Sequence, residues 1–144
     1  MSTLPLSFEY PVAWGDLNAE GQVGSIVFLR WCESARFDFL NRLGLLASRQ
    51  ETGIGTILTA IRSEFSAPVS YPELIAIVLS IQGVSEQDLE LRYVLWSRQA
   101  QRTVAEIFER IVCFDYQSST KTNWPEAVLY QLKEFHFEQN WSED

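Results

Sequence analysis

The run AWGDLNAEGQVGSIVFLRWCESAR, residues 13–36, gathers most of the groups in this chain that could do chemistry. Its first half carries carboxylates, side-chain amides and glycines, and its second half is apolar enough to form an enclosed helix. A loop set against the start of a helix presents backbone N–H groups with no partner inside the helix, here expected from Val23, Gly24 and Ser25. The positive end of the helix favours a developing negative charge there, and Gly24 lets a ligand approach the backbone closely. Such donors suit an oxyanion.

Attack also needs a group that activates water or reacts directly. Asp16, Glu20, Glu33 and Glu64 are the carboxylate candidates. Each has a plainer role open to it. Asp16 can bond loop N–H groups, Glu33 can pair with Arg36 at i+3, and Glu20 and Glu64 can face solvent. Asn18 and Gln22 can orient a water or hold a carbonyl, but an amide is neither a base nor a carboxylate nucleophile. Ser25 could also contact a ligand or serve as the helix N-cap. His136 is the only histidine, far along the chain and expected at the surface. A Ser–His–Asp triad therefore lacks a base, and no metal-binding spacing is present.

The elements that must position these groups follow from patterning. The chain of 144 residues fits one domain, residues 1–144, with enough length for a real core. Residues 7–14 read as a short strand that Pro11 confines to an edge or interrupts. Residues 25–43 read as a helix that ends at Gly44. Its stripe of Phe28, Cys32, Ala35, Phe39 and Leu43 is supplemented by Ile26, Leu29, Trp31, Phe37 and Leu40, so its whole girth is expected to be covered. Asp38 and Arg42 can pair at i, i+4.

Residues 54–116 read as four long strands. In the second of these, LIAIVLSIQGV, both alternations are apolar, which predicts cover on both faces. In the fourth, Glu106 and Arg110 share one alternation while Glu109 lies on the other. Residues 124–134 read as a short closing helix opened by Pro125. Strands segregated around one long helix define an α+β fold, with a curved antiparallel sheet of about five strands wrapping the helix. One subunit cannot cover all of this apolar surface, so a homodimer or homotetramer is expected.

Composition narrows the function. Eleven Lys and Arg stand against 19 Asp and Glu, a net charge of −8, which argues against nucleic acid as a partner. No basic cluster suggests a membrane surface, no apolar run reaches the roughly 20 residues that span a bilayer, and MSTLPLSFEY lacks the features of a signal peptide. A cytoplasmic protein with Cys32 and Cys113 reduced and buried is the expectation.

The loop and helix resemble those of the hotdog-fold acyl-CoA thioesterases of the 4-hydroxybenzoyl-CoA thioesterase type. That family carries GDxDxxGHVNNxxYxxxxExAR; here the run is Gly15, Asp16, Leu17, Asn18, Ala19, Glu20, Gly21, Gln22, Val23, Gly24, Ser25, then Phe28, Glu33, Ala35 and Arg36. SEFSAPVSYPELIAI and FDYQSSTKTNWPEAVLYQL are similar to later parts of the family, so the likeness covers nearly the whole chain. It implies a hotdog fold and hydrolysis of an acyl-CoA or acyl-carrier-protein thioester, with no cofactor beyond the coenzyme A of the substrate.

Three positions depart from the family. The second acid of DxD, catalytic in the benzoyl-CoA branch, is Asn18; the frequent His is Gln22; the Asn pair is Gly24 and Ser25. The catalytic group is then carried by Asp16, Asn18, Gln22 or Glu33, with Val23, Gly24, Ser25 and Glu64 as oxyanion or substrate contacts. Arg62, Arg98, Arg102 and Lys121 are the basic residues that could receive the phosphates of coenzyme A. Two other readings remain open: a catalytically silent hotdog subunit that binds acyl thioesters or a protein partner, and an enzyme using the same oxyanion site for condensation, dehydration or transfer.

Overall fold

A computed structural model describes residues 6–142. The elements run β1 (Leu6–Pro11), α1 (Ser25–Arg42), α2 (Leu45–Thr52), β2 (Ile54–Phe65), β3 (Leu74–Val84), β4 (Asp88–Ser97), β5 (Arg102–Asp115), β6 (Thr120–Lys121) and α3 (Glu126–Ser142). The strands form one antiparallel sheet in the order β1-β3-β4-β5-β2, with the short β6 paired to β5. Both β1 and β2 are edges. The sheet wraps α1 in the hotdog manner, as the α+β reading expected.

Period-two alternation sets the two faces of the sheet. Ile75, Ile77, Leu79 and Ile81 of β3, Leu89, Leu91, Tyr93 and Leu95 of β4, and Ala105, Ile107 and Ile111 of β5 point inward and are buried. The Phe28, Trp31, Cys32, Ala35, Phe39 and Leu40 side chains of α1 pack into the same cluster. Each large side chain buried there contributes on the order of 1.5–3 kcal/mol. α3 closes the core with Val128 and Leu132, and its Phe135 ring meets Phe39 edge-on at 5.6 Å.

Several expectations need correction. Strand β1 stops at Pro11, and Trp14–Asp16 form a single turn of 3-10 helix instead of continuing the strand. Ser25 is not the N-cap. Gly24 holds that position with extended backbone (φ −70°, ψ 150°) and offers no side-chain cap, so Ser25 is the first helical residue. Within one chain the outer alternation of β3 is covered in part: Ala76 is buried, and Leu74 and Val78 are exposed. Within one chain α1 keeps apolar surface open, with Ile26 78% exposed and Phe37 38%, in keeping with the expectation that one subunit cannot cover it all. The closing helix is longer than residues 124–134 and takes in a half-buried His136. Cys32 and Cys113 are free and buried, as expected, and the Asp38–Arg42 pair forms at 3.1 Å.

Candidate active site

Residues 17–23 fold into a tight turn whose pivot is Asn18. Its backbone N–H donates to the Gln22 carbonyl (2.8 Å), and its Oδ1 accepts the N–H groups of Glu20 (2.9 Å) and Gln22 (3.2 Å). Gly21, at φ +76°, supplies the left-handed residue the turn requires. Leu17 and Val23 bridge across its base. Asn18 is exposed and Gln22 half-buried, so both side chains reach the loop surface. With Oδ1 spent on the turn, Asn18 has its Nδ2 donors left for a ligand.

Asp16 lies beneath this turn, 8% exposed. One oxygen accepts the Ala13 N–H at 2.8 Å and the other accepts Arg30 at 2.6 Å. Burial pushes its pKa up, but the hydrogen bonds from Ala13 and Arg30 and the Arg30 charge outweigh burial and hold the carboxyl below its ordinary value. Asp16 is thereby a loop-bonding residue of low basicity, and it ties the 3-10 turn to α1.

At the head of α1, two of the three N–H donors the sequence suggested are taken. The Val23 N–H is taken by the Val69 carbonyl (2.8 Å) and the Gly24 N–H by the Asp16 carbonyl (3.4 Å). Val27 donates to Gly24 at 3.0 Å. Among the described residues the Ser25 and Ile26 N–H groups donate to no protein acceptor, as helix geometry demands of a first turn without a cap. Of the three expected donors Ser25 is therefore kept, and Ile26 joins it. Ser25 is exposed and nothing lies within 4 Å of a Cβ built on Gly24, so the helix head is open.

Asp16, Asn18, Gln22, Gly24 and Ser25 thus come together, and the other carboxylates do not join them. Glu33, its side chain 61% exposed, stands eight residues into α1, about 12 Å along the axis from Ser25. Glu64 is on the outer face of the sheet, in register with Glu106, whereas its neighbour Phe65 faces inward and meets the Phe28 ring at 5.3 Å. Alternation alone places Glu64 on the wrong side for the helix head.

The basic candidates do not cluster. Lys121 is paired with Asp88 (3.0 Å) and Arg98 with Glu9 (3.2 Å). Arg62 stacks 4.3 Å from the Phe108 ring centroid, at an outer-face hollow of about 420 Å³ that Arg110 also lines. Arg102 opens β5, six residues from Phe108 and so about 20 Å away.

Sequence reasoning did not assign a role to a buried charge cluster. Glu109, 5% exposed, accepts Arg36 at 2.8 Å on one oxygen and the Tyr93 hydroxyl at 2.6 Å on the other. Arg36, also 5% exposed, lies 3.8 Å from Glu33. Burial, then the Glu109 charge, raises the Tyr93 pKa well above that of a free phenol. The signal was present, because Glu109 occupies an inward alternation between Ile107 and Ile111.

Residues 12–132 match the family model of the thioesterase-like superfamily, and the chain belongs to that superfamily. Similar solved structures include a hypothetical protein from Staphylococcus aureus determined in complex with CoA. It has a TM-score of 0.90 and 12% identity, with 95% of this chain and 87% of that chain covered. A 1,4-dihydroxy-2-naphthoyl-CoA thioesterase from Synechocystis gives 0.80 and 18%, with 89% and 95% covered. A gentisyl-coenzyme A thioesterase gives 0.77 and 22%, with 88% and 98% covered. Among curated proteins none matches the chain in sequence. No described helix is long and apolar enough to cross a membrane.

Proposed function

We propose that the chain hydrolyses an acyl-CoA or acyl-carrier-protein thioester in the cytoplasm, as a homodimer or homotetramer. The observation that carries this reading is the uncapped head of α1, where the Ser25 and Ile26 N–H groups are free and the loop that carries Asn18 and Gln22 is joined to it through the Gly24 N–H on the Asp16 carbonyl. The thioester carbonyl accepts from the helix head, whose fixed dipoles stabilise the oxyanion as it forms. Asn18 Nδ2 and the Gln22 amide hold the carbonyl or the attacking water. Asp16 keeps the loop in shape, its oxygens being committed to Ala13 and Arg30. CoA recognition in one structural neighbour, and the CoA thioesters named for two others, favour acyl-CoA over a carrier protein.

Water activation falls to Glu33. It stands about 12 Å from its own helix head, so it serves the site of a second copy. The open edge of β2 and the uncovered Leu58, Ile61 and Phe65 on its inner face support that pairing. A panel of acyl-CoAs read with a thiol-trapping dye tests the activity; turnover of at least one thioester is expected, lowered at least tenfold by Glu33→Gln. Mixing Glu33→Gln chains with Asn18→Ala/Gln22→Ala chains should restore about a quarter of wild-type activity if the two halves of a site come from different copies. Simple averaging of the two variants would refute the shared site.

The second reading, a silent subunit that binds acyl thioesters or a protein partner, is favoured by one observation: Asn18 stands where the family has its carboxylate. Calorimetric binding of acyl-CoA with no turnover across the panel would establish it. So would activity that arises only in Asn18→Asp. That variant should fold normally, because a carboxylate oxygen accepts the Glu20 and Gln22 N–H groups as well as the amide does.

A further inference from the structure

We infer that Glu109 is a positioning residue: through Arg36 it fixes where along the sheet α1 sits, and so where the head of α1 presents its N–H groups. The inference rests on the helix-head reading of the site, and its structural readout needs no substrate.

The core alone specifies that position by side-chain volume and not by any directional bond. The inward stripe of α1, Phe28, Cys32, Ala35 and Phe39, recurs every three or four residues. A slip of one turn, about 5.4 Å, keeps apolar against apolar and is opposed by the mismatch of Phe with Cys and Ala. An oxyanion is far less tolerant, because donors must stand about 2.7–3.1 Å from it.

The buried ion pair supplies the missing constraint. Arg36 and Glu109 are each 5% exposed and meet at 2.8 Å, and the fully buried Tyr93 donates to the second Glu109 oxygen at 2.6 Å. A slip in either direction strands a buried carboxylate, which the interior does not tolerate. Fixing register is the best-attested use of such a pair. Arg36 lies eleven residues beyond Ser25, about 16 Å along a rigid rod, so a pin there sets the head. The other ion pair near the head, Arg30–Asp16, joins α1 to the loop and not to the sheet. Loop and helix head therefore travel together; the loop is held to the segment between β2 and β3 by the Val23 N–H on the Val69 carbonyl at 2.8 Å, and Glu109 anchors the helix to the sheet.

The test replaces the cluster with apolar groups: Arg36→Met, Tyr93→Phe and Glu109→Leu combined. Two ring pairs mark register, Phe28–Phe65 at 5.3 Å and Phe39–Phe135 at 5.6 Å, and both are readable as NMR contacts. The expected result is an equal or higher Tm with a second set of Phe28 and Phe39 resonances and weakened contacts to Phe65 and Phe135. On a thioester that the wild type hydrolyses, kcat falls at least tenfold with KM within twofold. A single wild-type-like set of ring contacts overturns the proposal, whether or not any thioester is hydrolysed. Should the triple variant fail to fold, Glu109→Gln removes the charge while leaving the volume filled, and is read by the same ring contacts with the same outcomes. Loss of turnover with unchanged ring contacts also overturns it, and absence of turnover in the wild type counts only against the hydrolase reading.

Discussion

Asp16 shows how the same residue type changes function with its surroundings. A carboxylate in a loop before a helix reads as a candidate base, but this one is buried, and each oxygen accepts a hydrogen bond from Ala13 or Arg30. Its folded pKa lies below its unfolded value, so it binds protons less readily when folded. The stability it contributes is complete above the unfolded pKa of about 3.9 and is lost as pH falls toward the folded value. Asp16→Asn removes the charge-assisted bond to Arg30 and should cost about 1–3 kcal/mol at pH 7, read by urea unfolding. The gap between wild type and variant should close below about pH 4. A gap that stays constant from pH 7 to pH 3 would mean that the charge contributes nothing. Glu109 shows what residue types can disclose before any coordinates. It interrupts an inward alternation on β5, as Arg36 interrupts the apolar stripe of α1, and opposite charges displaced onto facing apolar surfaces are expected to meet. Its third member, Tyr93, gave no such sign, because a tyrosine fits an apolar alternation without comment.

At the scale of elements, the long helix and the four long strands were legible because their periods are clean. What escaped was decided at the ends. LLASRQET carries no clear stripe, and α2 exists because Gly44 and Gly53, both at φ +79°, turn the chain at either end of it. The N-cap falls on Gly24 and not on Ser25 because Gly24 has the extended backbone of a cap while Ser25 is already helical, and glycine is itself an accepted N-cap that offers no side-chain acceptor. That gives a prediction for the helix head. Gly24→Ser has the backbone angles of a good N-cap, and nothing lies within 4 Å of its new Cβ. Its hydroxyl would accept a first-turn N–H and compete for the donors assigned to the oxyanion. The variant should gain a few tenths of a kcal/mol in thermal unfolding while kcat/KM drops at least fivefold. A gain in stability with undiminished turnover would detach the helix head from the chemistry.

Among the apolar surfaces that the described residues leave open, two lie on the sheet, and each suits a different contact. Along the β2 edge, Leu58, Ile61 and Phe65 are exposed on the helix side, beside a strand whose outer hydrogen-bonding groups have no neighbouring strand. A long edge of this kind is a template for pairing. On the outer face, Leu74, Val78 and Trp96 form a patch across β3 and β4. The first surface faces the helix side of the sheet and the second the opposite side, so they should behave differently when charged. Ile61→Lys places an ammonium on the proposed β2 pairing surface and should leave a folded monomer without turnover, seen by analytical ultracentrifugation and an unchanged far-UV spectrum. Trp96→Arg should at most divide tetramers into dimers and keep turnover within about twofold, because each β2-paired site stays whole. The net charge of −8 per chain bears on the same equilibrium. Two such chains repel, and salt screens that repulsion with a Debye length near 10 Å at 0.1 M. Dimerisation through an apolar edge should therefore tighten as sodium chloride rises from 10 to 300 mM, with specific activity at low protein concentration rising alongside it. Activity that is independent of both protein concentration and salt, in a chain that sediments as a monomer, would mean that one copy holds the complete site.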